Sequence, residues 1–126
     1  MILILDGHVL VWAATARARL SSGAIRALAD RANRVFVSVV TAYELEFKRS
    51  RDPLLSALPA NLDEAVTGQS FEWLALSAAH AALAGRLPRH HGDPFDRLII
   101  AQAFELGAAV VGADRAFPPY GVPMIW

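Results

Sequence analysis

The sequence contains no cysteine, which excludes a disulfide framework and any metal site built on thiolates. A chain without disulfides suits a reducing compartment, so we expect a cytoplasmic protein. No apolar run approaches the roughly 18 residues that a membrane span requires. The opening run, residues 1–5, is interrupted by Asp6 and is too short for the core of a signal peptide. We therefore expect no membrane partner.

Net charge is also absent, since 12 basic residues balance 12 acidic ones. A global positive field for nucleic acid is thereby excluded, and any such contact must come from a local patch. Lysine is nearly missing, because eleven of the basic residues are arginine and Lys48 is the exception. Arginine suits bidentate phosphate contact, but the composition of the genome explains the same preference.

Apolar residues are abundant, at 55% of the chain, and no linker or repeat divides them. We expect one domain over residues 1–126. Short apolar runs that are typical of buried strands alternate with helical patterns; they are Ile2–Leu5, Val35–Ser38, Phe71–Leu76, Ala108–Gly112 and Val122–Trp126. This order predicts an α/β fold, a three-layer α/β/α sandwich around a mainly parallel sheet of four to five strands.

Carboxylates follow the predicted strands. Asp6 comes directly after the first strand and Asp114 shortly after the fourth, while Glu44 lies on the helix after the second. Asp93 and Asp96 open the helix that ends at Gly107. Because ligands bind at the carboxyl ends of parallel strands, we expect these acids at one edge of the sheet. Gathered carboxylates repel one another, and a hard divalent cation such as Mg²⁺ relieves that repulsion.

Each acid also has a simpler explanation. Asp93 is placed to cap its helix, with Pro94 in the first helical position. Glu44 is four residues before Lys48 and can form a surface ion pair. Asp6 and Asp114 can cap the segments that follow them. These local explanations stay open at this point.

Two other positions invite an assignment. Thr41 is a suitable N-cap for a helix from residue 42 to about 49. The adjacent His90 and His91 suggest zinc, but no third and fourth ligand have suitable spacing. We therefore expect the two histidines to be loop residues.

Four ordered segments together resemble the PIN-domain family, and most closely its VapC-type toxins from bacterial toxin–antitoxin pairs. The segments are Ile4–Trp12, Val37–Lys48, Asp93–Ala103 and Ala113–Pro123. The resemblance spans the chain, and its specificity comes from four motifs in order at the family's spacing.

The resemblance implies an endoribonuclease that depends on Mg²⁺ or Mn²⁺. Its catalytic, metal-binding residues would be Asp6, Glu44, Asp96 and Asp114. Asp93 and Ser38 would support these ligands without binding the metal themselves. The family further implies an RNA substrate, a homodimer, and a VapB-type antitoxin whose C-terminal tail lies over the active site.

The chain departs from the family pattern at two glycines. Gly7 follows the first acid where Thr or Ser is usual, and Gly112 replaces the usual Thr before the last acid. Lost support of this kind can weaken metal affinity or activity by about 10- to 100-fold. The alternative is therefore a catalytically weakened PIN-like module that binds antitoxin or RNA without efficient cleavage.

Other assignments are less favoured. An aspartyl phosphotransferase would place a second Asp two residues after Asp6, where the chain has His8. A receiver-like phosphoacceptor would place acids before Asp6, where the chain has Ile4 and Leu5. Candidates to face RNA are three arginines and two loop histidines, namely Arg89, Arg97, Arg115, His90 and His91.

Overall fold

The computed structural model of the chain describes residues 1–126 and contains five strands and six α-helices. The strands are β1 (Ile2–Leu5), β2 (Arg34–Ser38), β3 (Glu72–Leu74), β4 (Ala109–Val111) and β5 (Met124–Ile125). The helices are α1 (Gly7–Thr15), α2 (Ser22–Ala29), α3 (Val39–Arg49), α4 (Leu62–Thr67), α5 (Ala78–Arg86) and α6 (Pro94–Leu106). No helix combines the length and apolarity needed to cross a membrane.

All five strands form one sheet in the order β3-β2-β1-β4-β5, and every neighbouring pair is parallel. Strand β1 is central, and its Leu3 pairs with Val35 on one side and Ala109 on the other. The chain winds outward from β1 to β3 and then crosses to β4. The strand order therefore reverses beside β1, where open α/β sheets form a crevice at their carboxyl edge.

Two apolar cores cover the two faces of the sheet. Leu3 and Leu5 of β1 point into the core that includes α1 and α4, whereas Ile4 points into the core that includes α6. This split follows from the period of two along a strand, which sends successive side chains to opposite faces. The predicted three-layer α/β/α sandwich with a parallel sheet is confirmed.

Helix α3 begins earlier than the sequence indicated. Ser38, the last residue of β2, accepts a hydrogen bond from the Val40 amide and is the N-cap. The expected cap, Thr41, lies inside the helix instead, so that prediction is wrong. Serine and threonine are similar as caps, and the tight passage from β2 into α3 selects the earlier residue.

Helix α6 begins and ends as its sequence predicts. The Asp93 carboxylate accepts hydrogen bonds from the amides of Phe95 (2.8 Å) and Asp96 (3.4 Å), and Pro94 occupies the first turn. Gly107 ends the helix at a φ of 61°, a left-handed conformation that glycine adopts without strain. These caps fix the orientation of the first turn, which carries Asp96.

Candidate active site

A cavity of about 680 Å³ opens at the carboxyl edge of the sheet. The five acids singled out above all line it: Asp6, Glu44, Asp93, Asp96 and Asp114. They reach it from the end of β1, from α3, from the start of α6 and from the loop after β4. The parallel topology thus gathers carboxylates from distant parts of the chain at one place.

Asp6 is the most buried of these acids, with 8% of its surface exposed. It occupies the N-cap position of α1, but its side chain accepts no capping hydrogen bond. Burial raises the pKa of Asp6 from 3.8 to about 6, an effect opposed by His8 and reinforced by Asp96 and Asp114. Helix capping therefore does not explain this carboxylate.

Asp96 lies in the first turn of α6 with 15% of its side chain exposed. Its Oδ2 is 2.8 Å from Nε2 of His91. Burial raises the pKa of Asp96, the hydrogen bond with His91 lowers it, and the charges of Asp93 and Asp114 raise it further. As with Asp6, the fold holds a carboxylate where its charge is poorly solvated.

Glu44 and Asp114 each have the local partner that the sequence suggested. Glu44 Oε2 lies 3.5 Å from the Lys48 ammonium, and Asp114 Oδ1 accepts a 2.9 Å hydrogen bond from the Ala116 amide. Neither contact uses the second carboxylate oxygen. Both residues line the cavity, and each therefore keeps one carboxylate oxygen available to bind a metal ion.

The chemistry of these oxygen atoms suits a hard divalent cation, although the ligand atoms that already lie within 4.8 Å of one another belong to His91, Asp93 and Asp96. All four candidate ligands, Asp6, Glu44, Asp96 and Asp114, offer carboxylate oxygen, which Mg²⁺ and Mn²⁺ prefer. The buried Asp6 carboxylate has no capping role, and its neighbours Asp96 and Asp114 add to the local negative charge. A bound cation would offset that charge where water cannot.

The two glycines that depart from the family pattern differ in their surroundings. A Cβ added at Gly7 would meet Glu44 Oε1 and Thr41 Cγ2 at 3.6 Å, which is ordinary contact. A Cβ added at Gly112 would lie 2.9 Å from Asp6 Cβ and 3.3 Å from Asp6 Oδ2. The backbone at Gly112 thus packs directly against the Asp6 side chain, and only glycine leaves room for it.

Arg97 has a structural position that the sequence did not suggest. Its guanidinium donates to the carbonyl oxygens of Ala84, Leu87, Pro88 and His91 and to the Tyr120 hydroxyl. Because these contacts occupy the guanidinium within the protein, we drop the expectation that Arg97 faces RNA. Arg89 and Arg115 are exposed and remain candidates.

Three residues near the acids were missed or undervalued in the sequence. Lys48 and Arg19 line the cavity, where Lys48 lies 3.5 Å from Glu44 and Arg19 lies over the Trp12 ring. His91, expected to be a loop residue and a candidate to face RNA, contacts Asp96 directly. Sequence spacing gave no signal for this contact, because it depends on how the loop before α6 folds back.

A comparison with known families decides the classification. A family described as the PIN domain matches residues 3–122 of the chain. The chain belongs to the PIN domain family. The protein "Ribonuclease VapC22" of Mycobacterium tuberculosis is 31% identical to this PIN-domain chain over 113 residues, which cover 89% of this chain and 86% of that relative. The resemblance to VapC-type members is therefore confirmed.

Solved structures show the same PIN fold. The structure of VapBC2 from Rickettsia felis bound to a promoter DNA fragment has a TM-score of 0.69 at 19% identity, covering 98% of this chain and 97% of that one. The DNA-bound VapBC of Salmonella typhimurium gives 0.68 at 18% identity, with 98% and 96% covered. FitAcB from Neisseria gonorrhoeae gives 0.63 at 19% identity, with 98% and 96% covered.

Proposed function

We propose that this PIN-domain chain is the endoribonuclease toxin of a toxin–antitoxin pair, acting in the cytoplasm on RNA phosphodiesters. The observation that carries the proposal is the convergence of four carboxylates on one cavity, with Asp6 buried and free of any capping role. Identity to a relative named a ribonuclease supports the activity. The carboxylate set supports its dependence on Mg²⁺ or Mn²⁺.

In this proposal Asp6, Glu44, Asp96 and Asp114 hold the cation. When bound, the cation supplies a Lewis acid that activates water and offsets charge on the phosphodiester. Asp93 caps α6 and keeps the first turn, with Asp96, at the cavity wall. Ser38 caps α3 by accepting a hydrogen bond from the Val40 amide, and this contact fixes the start of the helix that carries Glu44.

Positive groups near the carboxylates would attract the RNA backbone. Lys48 and Arg19 line the same cavity as the acids. Their charges offset phosphate repulsion from the carboxylates and would make RNA binding depend on salt. Arg89 and Arg115 extend this surface in the proposal, as exposed residues on the loops that flank α6 and β4.

We propose a VapB-type antitoxin as the cognate partner. Similar solved structures are VapBC assemblies, which motivates this assignment. The cavity continues from the carboxylates to an apolar wall that includes Trp12, Leu45 and Leu54. A peptide with an apolar face and a basic group could cover that wall and reach the acids at once.

We also propose a homodimer formed through an aromatic stripe, defined as Tyr43, Phe47 and Phe95. Tyr43 and Phe47 are 62% and 58% exposed, and the Tyr43 ring packs against both Phe47 and Phe95. Exposed apolar patches of this kind mark interaction surfaces. Helix α2 offers an alternative face for the dimer, where Ile25 is 37% exposed.

Light scattering of the antitoxin-free protein measures this assembly. We expect a dimer mass for the wild type and a monomer mass for the Tyr43→Ser, Phe47→Ser double variant. Ile25→Ser on α2 is the matched control and should remain dimeric. A dimer that survives the double variant but is lost in Ile25→Ser would transfer the interface to α2.

Cleavage of total RNA by antitoxin-free protein tests the nuclease proposal. We expect discrete products with Mg²⁺ or Mn²⁺, and none with EDTA or with the Asp6→Asn variant. Cleavage that persists in EDTA would contradict the assigned role of the carboxylates. RNA binding without cleavage, in folded protein with saturating metal, would instead favour the weakened binding module.

A further inference from the structure

The loop between α5 and α6 places a histidine against the candidate ligand Asp96. His91 Nε2 lies 2.8 Å from Asp96 Oδ2, and 33% of the His91 side chain is exposed. An ionised carboxylate can only accept a hydrogen bond, so the imidazole Nε2–H is the donor. The contact uses one oxygen of Asp96 and leaves the other without a hydrogen bond from the protein.

Two side chains hold this loop in place, and we call them the Arg97–Tyr120 clamp. The Tyr120 hydroxyl accepts from the His91 amide at 2.8 Å and lies 3.2 Å from the His91 carbonyl oxygen. Arg97 donates to the carbonyl oxygens of Pro88 and His91 and to Tyr120. Both backbone groups of His91 are therefore fixed.

The clamp and the ligand share one turn of helix. Arg97 follows Asp96 directly in α6, and its second terminal nitrogen donates to the carbonyl oxygens of Ala84 (2.7 Å) and Leu87 (2.9 Å). Charge-assisted hydrogen bonds of this length are among the stronger ones in proteins. The first turn of α6 therefore contacts the loop twice: Arg97 binds the loop backbone, and Asp96 binds the His91 side chain.

On this geometry, and resting on the nuclease function proposed above, we propose that His91 is a positioning residue that orients the Asp96 carboxylate toward the cation. Asp93 fixes the backbone of Asp96 by accepting from its amide, and His91 fixes the side chain. Hydrogen bonds that orient a metal-binding carboxylate typically contribute about 10- to 100-fold to metal affinity or activity.

A competing role for His91 is direct coordination. Donor atoms of His91, Asp93 and Asp96 all lie within 4.8 Å of one another, close enough to share an ion. A nitrogen ligand would favour Mn²⁺ over Mg²⁺, because imidazole suits transition metals. A positioning hydrogen bond predicts no such change in preference between the two metals, and this difference separates the two roles.

Mn²⁺ binding to the antitoxin-free protein, measured by calorimetry or electron paramagnetic resonance, tests the proposal without RNA. We expect His91→Ala to weaken Mn²⁺ and Mg²⁺ affinity equally, by about 10- to 100-fold. His91→Gln should recover most of the affinity, since its amide nitrogen can donate from nearly the same place. His80→Gln is the matched control, because His80 contacts Ser77 at the start of α5 rather than the acids, and glutamine can keep that capping contact. This variant should bind both metals as the wild type does.

A variant of the clamp separates positioning from a general loss of structure. Tyr120→Phe removes the hydroxyl that holds His91 and leaves the aromatic ring in place. We expect it to weaken Mn²⁺ affinity in the wild type and to have no further effect in His91→Ala, a non-additivity that indicates one shared pathway. Thermal unfolding of each variant verifies that the fold persists.

Several results would overturn the proposal. His91→Ala binding both metals like the wild type would remove any role for His91 while leaving the nuclease function intact. A selective loss of Mn²⁺ that His91→Gln does not restore would assign His91 as a ligand instead. If the wild type binds neither metal, the proposed function fails first, and the inference about His91 fails with it.

Discussion

Asp6→Asn is expected to abolish metal-dependent cleavage and, at the same time, to stabilise the metal-free protein near pH 7.5. The loss of activity should exceed about 100-fold, because losing a residue that only hydrogen-bonds to a metal ligand already lowers metal affinity or activity by about 10- to 100-fold. The gain in stability arises because the fold buries a charged carboxylate that accepts no capping hydrogen bond. Asparagine removes that charge at nearly constant volume.

The sign and size of this effect follow from the pKa of Asp6. Its value is about 6 in the folded protein against an ordinary value of 3.8, so the folded state binds the proton more tightly. Asp6 therefore destabilises the fold above pH 6, and this penalty disappears as the pH falls from 6 toward 4. The difference in pKa corresponds to about 3 kcal/mol at most.

Denaturant unfolding of both proteins in EDTA, from pH 4 to pH 8, measures this prediction. The free energy of unfolding of Asp6→Asn should exceed that of the wild type at pH 7.5 and match it near pH 4. Glu105→Gln removes an exposed carboxylate and is the control, with no pH-dependent gain expected. A variant that is less stable than wild type at pH 7.5 would contradict the electrostatic account of Asp6.

Gly112→Ala is expected to reduce cleavage by about 100-fold, the scale associated with displacing a reacting group by about 1 Å. The added methyl group would lie 2.9 Å from Asp6 Cβ, so either the backbone at 112 or the Asp6 side chain must move. Overpacking of this kind also costs about 1–3 kcal/mol of stability. Activity and denaturant unfolding should be measured together.

Gly7→Ala is the matched control for Gly112→Ala. Its added methyl group meets neighbours at 3.6 Å, so the fold should accept it and cleavage should stay within a few-fold of wild type. Equal damage from both substitutions would mean that crowding against Asp6 is not the cause. The structure thus separates two departures from the family pattern that look equivalent in sequence, and places the constraint at Gly112.

The fold was predictable because strong local patterns agreed with one another. The apolar runs at β1 and β4, each followed by an acid, indicated a parallel sheet whose carboxyl edge carries Asp6 and Asp114. Asp93, Pro94 and Gly107 marked the start and end of α6 directly. Patterns of this kind depend on residues a few positions apart, and a single sequence shows them plainly.

The features that the sequence did not reveal depend on contacts through space. Arg97 looked like a basic residue beside the acids, but its direction is set by the loop that folds back over α6. His91 reaches Asp96 only because of that fold. Gly112 follows β4 and Asp6 follows β1, and the two residues are close only because these strands, distant in the chain, are neighbours in the sheet. No local pattern encodes such approaches.

The position of β1 between β2 and β4 has a consequence for synthesis on the ribosome. Leu3 of β1 pairs with Ala109 of β4, so the centre of the sheet closes only after residue 109 has been translated. A nascent chain that ends before residue 109 lacks both β4 and Asp114 and cannot assemble the four-carboxylate cavity. Under the function proposed above, the nascent chain would have no assembled site for RNA cleavage until Asp114 has emerged from the ribosome.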